Sequence, residues 1–365
     1  MVKSKSRAYT KRARIFTGTG CNAKCRFCYY YLSGLKNFWP KELIMREIDI
    51  AERAGMKAVD FSGGEPTVHP HFLELVEYAK SKGFKVICTL TNGIKMSNEK
   101  FVKKLVDAGI NDLLFSVHGH NSEEHDYITQ IPKSFDKMIA AIRNFKEYGI
   151  PFRINCTVTN INYKNLEKHA ILYNKLEPMQ VNFILFNDFE LADELTNQFA
   201  VRYSEAAPYI KRAIDLMKGN VPYINVRYIP FCFMEGYEEH VCDYPQKIFD
   251  PFEWSQRMLV RLPSNGIIPV WKYLGYLAYG FLKAHPFNIR LSREYLEDIC
   301  IAMRVKEYVK SEVCKKCKFN KICQGLEKSY VKVFGISELK AIEGAPLKDP
   351  LHFRREFYKG YSYGD

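Results

Sequence analysis

Between residues 14 and 187 the chain alternates short runs rich in β-branched and aromatic residues with longer amphipathic runs, and that alternation admits few folds. RIFTG (14–18), AVDFS (58–62), KVICTLTNG (85–93), DLLFSVHG (112–119), PFRINCTVT (151–159) and MQVNFILFN (179–187) read as strands. PHFLELVEYAKSKG (70–83), EKFVKKLVDAG (99–109), FDKMIAAIRNFKEYG (135–149) and NLEKHAILYNKL (165–176) read as helices, the first three ending on glycine. Strand–helix–strand repetition calls for parallel strands with right-handed crossovers. Six such units are too few to close an eight-stranded barrel, so the expected fold class is α/β, a partial (β/α)6 barrel of parallel strands.

Alternation within a strand sorts side chains by face. Arg153, Asn155 and Thr157 share one face, while Ile154, Cys156 and Val158 share the other. In the third strand Thr89 and Thr91 oppose Cys88 and Leu90. With the polar sets assigned to the barrel lumen, Cys88 and Cys156 are expected beneath the helices, as small buried hydrophobes and not as ligands.

Beyond Asn187 the pattern changes to a helix near 204–218 and then to irregular, aromatic-rich sequence. A barrel core over 1–220, a smaller C-terminal unit over 221–345 and a polar tail over 346–365 are expected. The stretch 267–287 is the most apolar, but Pro269, Lys272 and Lys283 interrupt it, so it does not read as a transmembrane span. Read as a helix, it aligns Trp271, Leu274, Ala278 and Phe281 on one stripe, which suits core packing or a lid over a site. The first fourteen residues hold six basic side chains and no apolar run, so no secretory signal is expected and a cytoplasmic location is. The net charge of +13 suits an anionic partner such as nucleic acid, or simply a solvated basic face.

Eleven cysteines in a reducing compartment are poor candidates for disulfides, and six of them cluster, at 21/25/28 and 314/317/323. Cys21, Cys25 and Cys28 occupy eight residues of one loop, spaced to reach three corners of an iron–sulfur cubane and leave one iron without a protein ligand. Structural zinc is closed by four ligands, and no further thiol or histidine follows within forty residues. SGGEPT (62–67) follows the second strand, at the end where parallel α/β folds gather ligands. Its glycines permit close backbone approach, and Glu65 supplies a carboxylate.

The C-x3-C-x-aromatic-C loop, the GGEP motif and the LTNG ending of the third strand together resemble the radical S-adenosylmethionine (radical SAM) superfamily, over roughly residues 12–190. The resemblance implies a [4Fe–4S] cluster on Cys21, Cys25 and Cys28, with S-adenosylmethionine on the open iron. It implies that Phe27 lies near the adenine and that Gly63, Gly64 and Glu65 meet the methionine amine. Ser116, Arg153 and Asn155 fit ribose or carboxylate contacts. Reductive cleavage would yield a 5′-deoxyadenosyl radical that abstracts hydrogen from a peptide, a protein side chain or a small biosynthetic precursor, with ferredoxin or flavodoxin as electron donor. RNA or lipid modification by the same core is the alternative, and a non-catalytic electron-transfer protein would leave GGEP without purpose. His118 and His120, just past the fourth strand, suit proton transfer or a hydrogen-bonded turn.

The second cluster, CKKCKFNKIC (314–323), resembles the SPASM/twitch extensions of such enzymes, which hold auxiliary [4Fe–4S] clusters. The usual next cysteine is missing, because position 327 is Glu, so one auxiliary cluster is expected and not two. Cys314, Cys317 and Cys323 leave one ligand to be found. Cys300 is the first choice, followed by Cys242 and Cys232, and a zinc knuckle is the alternative occupant.

Overall fold

The computed structural model describes residues 9–32, 34, 36–187, 193–255, 305, 306, 308–357 and 361–363. Cys300 and the aromatic stretch 267–287 lie outside the described residues.

Seven parallel strands form one curled sheet in sequence order: β1 (Arg12–Phe16), β2 (Ala58–Ser62), β3 (Val86–Thr91), β4 (Asp112–Ser116), β5 (Phe152–Val158), β6 (Gln180–Leu185) and β7 (Tyr223–Arg227). The helices are α1 (Tyr29–Leu32), α2 (Lys41–Arg53), α3 (Phe72–Ser81), α4 (Glu99–Ala108), α5 (Ser122–Thr129), α6 (Ser134–Lys146), α7 (Leu166–Leu176), α8 (Asp193–Phe199), α9 (Tyr203–Met217), α10 (Tyr244–Lys247) and α11 (Lys328–Phe334). Strands β8 (Tyr308–Val309) and β9 (Leu326–Glu327) pair antiparallel in a small second sheet near the cysteine-rich segment.

The partial parallel barrel expected from the sequence is present, with one strand more than the six read there. Strand β7 is only five residues long and follows Pro222, so its alternation of Ile224 and Val226 against Asn225 and Arg227 is too brief to stand out. It pairs with β6 from Gln180↔Tyr223 to Ile184↔Arg227. Helix α2 is likewise absent from the sequence reading; it buries Ile44, Ile48 and Ala51 at helical spacing against the sheet. The outward side chains of the strands and the inward stripes of the helices make one continuous core, which includes Phe61, Phe115, Phe145, Phe183 and Ile210. No helix among the described residues is long and apolar enough to cross a membrane.

The lumen floor is charged, and it corrects two sequence readings. Arg153 does not reach toward a cofactor. It is fully buried low in β5, where Nη2 donates to Asp112 Oδ2 at 2.7 Å and Nη1 to the Phe252 carbonyl at 3.0 Å. Arg12 joins from β1, donating to Asp112 at 3.0 Å and pairing with Asp60, and Trp254 Nε1 donates to the other Asp60 oxygen at 2.6 Å. Cys88 also faces this floor and not the helices, 3.1 Å from Arg153 Nη2. The register explains it: Asp60 pairs with Cys88 and Cys88 with Asp112, so all three point inward together. Cys156 does sit under the helix layer, near His169 and Tyr173.

Two guanidinium groups and two carboxylates balance in charge, and burial would be prohibitive without that pairing. Burial alone would push the Asp112 carboxyl up, but Arg153 and Arg12 outweigh it and hold it below the ordinary range. Asp112→Asn should therefore cost about 3–5 kcal/mol, the penalty for stranding a buried charge. Lys103→Ala, which breaks an exposed pair with Asp107, should leave the urea midpoint unchanged within error. Equal midpoints for the two variants would show that the floor network does not support the barrel.

Candidate active site

Every strand end at the upper rim contributes a turn, and the loop after β1 carries Cys21, Cys25 and Cys28. This loop is clamped at its middle: Lys24 N donates to Thr129 O at 3.0 Å and Arg26 N to Ile128 O at 2.9 Å, at the C-terminal end of α5. The Arg26 guanidinium also lies 4.0 Å over the Tyr127 ring. Cys21 is exposed at the rim, yet enough protein surrounds its sulfur that desolvation, then the Glu65 carboxylate, pushes the thiol up to about 12. Burial raises the Cys25 and Cys28 thiols too, with N–H groups of Tyr31 and Tyr30 opposing the rise at Cys28. All three are therefore protonated near neutral pH until a metal displaces the protons.

The glycines of SGGEPT act first on the protein's own backbone. Gly64 N donates to Gly18 O at 2.9 Å and Glu65 N to Gly20 O at 2.8 Å, so the strip lies directly against the cysteine loop. A Cβ on Gly64 would stand 2.2 Å from Gly20 O, and one on Gly63, whose φ is +138°, 2.2 Å from Gly18 O. No side chain fits at either position. Glu65 is buried, and its carboxylate is fixed by four donors. Oε1 accepts from Thr67 N (3.1 Å), Thr67 Oγ1 (2.6 Å) and Thr91 Oγ1 (2.9 Å), while Oε2 accepts from Asn92 N (2.7 Å). The LTNG ending of β3 thus serves to hold the glutamate.

Above the charged floor lies a cavity of about 220 Å³. Of the residues the sequence singled out, Cys21, Cys25, Phe27, Cys28, Gly63, Gly64, Glu65, Ser116 and Asn155 line it, and Arg153 does not. Asn182 Nδ2 donates to Asn155 Oδ1 at 2.9 Å, which fixes the orientation of that amide. Thr157, two residues along the same face, also lines the cavity, as strand alternation could have indicated.

His118 lines the cavity and His120 does not. His118 Nδ1 accepts from Thr157 N at 3.2 Å, so in the neutral ring the proton is on Nε2. Its ring meets Phe27 edge to face at 5.0 Å. Burial, then His125 and His169, brings its pKa down to about 3, so it is neutral at ordinary pH. His120 instead shares Glu124 with His169, at 2.7 and 2.8 Å.

A second thiol cavity lies beside the barrel. Cys314, Cys317 and Cys323 line it, and the fourth cysteine lining it is Cys232, from the turn Phe231–Phe233 that follows β7. Cys242, the other upstream candidate, is fully buried elsewhere, its sulfur 3.4 Å from Asp250 Oδ2.

The comparisons agree with this geometry. Residues 15–172 match the family described as the Radical SAM superfamily. Over 161 residues the chain is 32% identical to an AdoMet-dependent heme synthase of Methanosarcina barkeri, spanning 43% of this chain and 45% of that protein. Over 166 residues it is 28% identical to a probable GTP 3′,8-cyclase of Saccharolobus islandicus, spanning 45% and 53%. The chain thus matches about half the length of these curated relatives. In fold it is similar to SuiB of Streptococcus suis bound to S-adenosylmethionine, with a TM-score of 0.56, 16% identity and coverage of 92% of this chain and 76% of that one. It is also similar to anSMEcpe with bound AdoMet and the Kp18Cys peptide, with a TM-score of 0.55, 17% identity and coverage of 95% and 96%. Residues 15–172 thus match the radical SAM superfamily, and the cysteine loop and glycine strip of that region stand together at one rim of a partial barrel.

Proposed function

We propose that this protein is an enzyme that holds a [4Fe–4S] cluster on Cys21, Cys25 and Cys28 and binds S-adenosylmethionine against it. The observation that carries the reading is three thiols, without a fourth among the described residues, opening on the cavity that Gly63, Gly64 and Glu65 also line. That donor set fits a cubane with one iron left for a ligand. When bound, the pair supplies cleavage of the S–C5′ bond by one electron from a ferredoxin- or flavodoxin-type donor, and the resulting 5′-deoxyadenosyl radical takes hydrogen from substrate.

The chain's own groups orient and shield that chemistry. A carboxylate offers about four lone-pair positions, two on each oxygen. Glu65 Oε1 is fully used, whereas Oε2 has one donor, which leaves a position for the methionine ammonium. Phe27 and His118 form an aromatic wall suited to the adenine, with His118 in the tautomer that can donate from Nε2. Ser116, Asn155 and Thr157 offer hydroxyl and amide groups to the ribose or carboxylate. Beneath the cavity the paired charges of the floor are buried, which suits the closed site a reactive radical requires.

For the substrate we favour a peptide or protein side chain, in view of the likeness to SuiB, which is known bound to a precursor peptide, and to anSMEcpe with its peptide. A small biosynthetic precursor is the second reading, favoured by the identity with the heme synthase. The reaction belongs in the reducing cytoplasm, where free thiols persist. Anaerobic incubation with S-adenosylmethionine, a reductant and size-fractionated extract separates the two substrate readings by which fraction changes mass.

Replacing Cys21, Cys25 and Cys28 together by Ala should remove about four irons per chain and end 5′-deoxyadenosine formation. Continued formation of that product would refute the assignment. Glu65→Gln should weaken S-adenosylmethionine binding by roughly tenfold to a hundredfold, as for loss of one charge-assisted hydrogen bond of about 1.5–3 kcal/mol; equilibrium dialysis with unchanged affinity would remove Glu65 from the site.

The buried histidines also set a pH dependence. His118 and His125 have folded pKa values brought down to about 3 and about 4, against 6.5 ordinarily, in both cases chiefly by burial. Below pH 6.5 the unfolded chain takes up protons that the folded one refuses, so stability falls as the pH drops. Between pH 6.5 and about 4.5, above the ordinary carboxylate range, the melting temperature should decline, and less steeply in a His118→Gln, His125→Gln double variant. Parallel slopes for the two proteins would contradict this account.

A further inference from the structure

We propose that His120, Glu124 and His169 form a binding site for a divalent transition-metal ion, zinc above all, outside both thiol cavities. The site stands apart from the radical SAM reading, since no residue of the cysteine loop or the glycine strip takes part in it.

Three elements bring the ligands together. His120 lies in the turn between β4 and α5, Glu124 in the first turn of α5 and His169 in the first turn of α7. One nitrogen from each ring and one carboxylate oxygen all lie within 4.8 Å of one another. Glu124 Oε2 is the centre of the set, 2.7 Å from His120 Nδ1 and 2.8 Å from His169 Nε2. Two imidazoles and one carboxylate occur together in catalytic zinc sites, where a fourth position is left for water. The same set suits other divalent ions that favour imidazole.

The surroundings prepare these atoms as ligands. Asn165 Nδ2 donates to Glu124 Oε1 at 2.9 Å, which leaves Oε2 turned toward the histidines, where it also accepts from His120 N at 2.9 Å. Tyr173, one turn beyond His169 on α7, donates its hydroxyl proton to Val117 O at 2.8 Å. The Tyr173 oxygen, 3.1 Å from His169 Nδ1, is left to accept, so Nδ1 carries a proton. Cys156 Sγ, 3.7 Å from the same nitrogen, is too weak a donor to reverse this.

In a neutral His169 the Nε2 lone pair therefore faces those of Glu124 Oε2 across 2.8 Å, and a cation has to relieve the contact. A second proton on His169 is the rival cation, but the ring is fully buried, which disfavours an imidazolium. A histidine whose far nitrogen donates to a fixed oxygen is how metal-bound imidazoles are held. Access is open from one side, with the His120 side chain 17% exposed and that of Glu124 9%. The other close set of possible ligands, Asp60, Cys88 and Asp112, already has its charge balanced by Arg12 and Arg153.

An ion here would join the start of α5 to α7. The far end of α5 holds the cysteine loop, through Ile128 O and Thr129 O. The site is thus a staple for the helix on which that loop rests.

The test uses the natural full-length protein, reconstituted anaerobically with iron and sulfide so that its thiols are occupied, and titrated with Zn2+ alone. One further equivalent should bind, and zinc X-ray absorption should show nitrogen and oxygen at about 2.0–2.2 Å without sulfur at about 2.3 Å. His120→Ala and Glu124→Gln should each weaken that binding by at least about tenfold, the cost of losing even an outer-shell partner. His71→Ala, which breaks an exposed pair with Glu74, should not. Absence of the extra zinc, zinc bound only through sulfur, or equal affinity after His120→Ala would overturn the proposal.

A second measurement needs no variant. Amide hydrogen exchange over residues 121–129 should slow when Zn2+ is added to the natural protein and recover when a chelator removes it. Exchange indifferent to zinc would overturn the proposal as well.

Discussion

Two buried arginines and two buried aspartates fix the lower half of this barrel. Arg12, Asp60, Asp112 and Arg153 come from four strands, and each charge is neutralised by neighbours on other strands. Such a set specifies register, because a one-residue slip of any strand would turn its charge into the helix layer. Once the floor is fixed, the layers above it follow. Leu114, level in register with Leu90 and with Arg153, borders the floor, and the next inward row is Ser116, Asn155, Asn182 and Asn225. The lumen thus passes from paired charge to apolar to hydroxyl and amide, ending where a ligand can enter. The floor and the cavity are consequences of one register.

The rim depends on a different constraint, the contact of two backbones. Gly63 and Gly64 bring the turn after β2 against the loop after β1, closely enough that no Cβ fits between them. Glu65 is thereby placed beside Cys21, close enough for its charge to raise that thiol's pKa. Thr91 and Asn92, from the end of β3, then hold the carboxylate. The motifs are separate in sequence, but each fixes the next in space. A glycine here is required by its neighbour's carbonyl, whatever ligand arrives later.

What the sequence made legible was what is local or periodic. The cysteine spacing and the glycine strip lie within single loops, and the parallel strands follow from alternation. What it hid was height, parity and distance. Alternation put Arg153 in the lumen correctly, but period two gives a face and not a depth, so a floor residue passed for a cofactor contact. Both faces of β3 are buried, with Thr89 at 0% exposure and Cys88 at 0%, so polarity could not tell which face looked inward. Neighbouring strands decide that, through pairs such as Cys88↔Asp112. Strand β7 was missed because a five-residue strand has little period, and Cys232 was ranked behind Cys300 and Cys242 because a residue far along the chain from 314–323 has no spacing to judge.

The two thiol sites differ in what surrounds the sulfurs. At the first, three thiols come from one loop clamped to α5, and the rest of the rim supplies Glu65, amides and hydroxyls, which suit a polar small molecule and not a metal's last corner. At the second, the barrel's far edge strand brings a fourth thiol, and aromatic stacking and lysines surround the set. Strands β1 and β7 are the two edges of the open sheet, and each is followed five positions on by a cysteine, Cys21 after Phe16 and Cys232 after Arg227. Neither edge is bare: Cys242 N donates to Val226 O at 2.9 Å beside β7, and Ser255 N donates to Arg12 O at 2.9 Å beside β1. The segment beyond β7 also closes the charged floor, through the Phe252 carbonyl on Arg153 and Trp254 on Asp60.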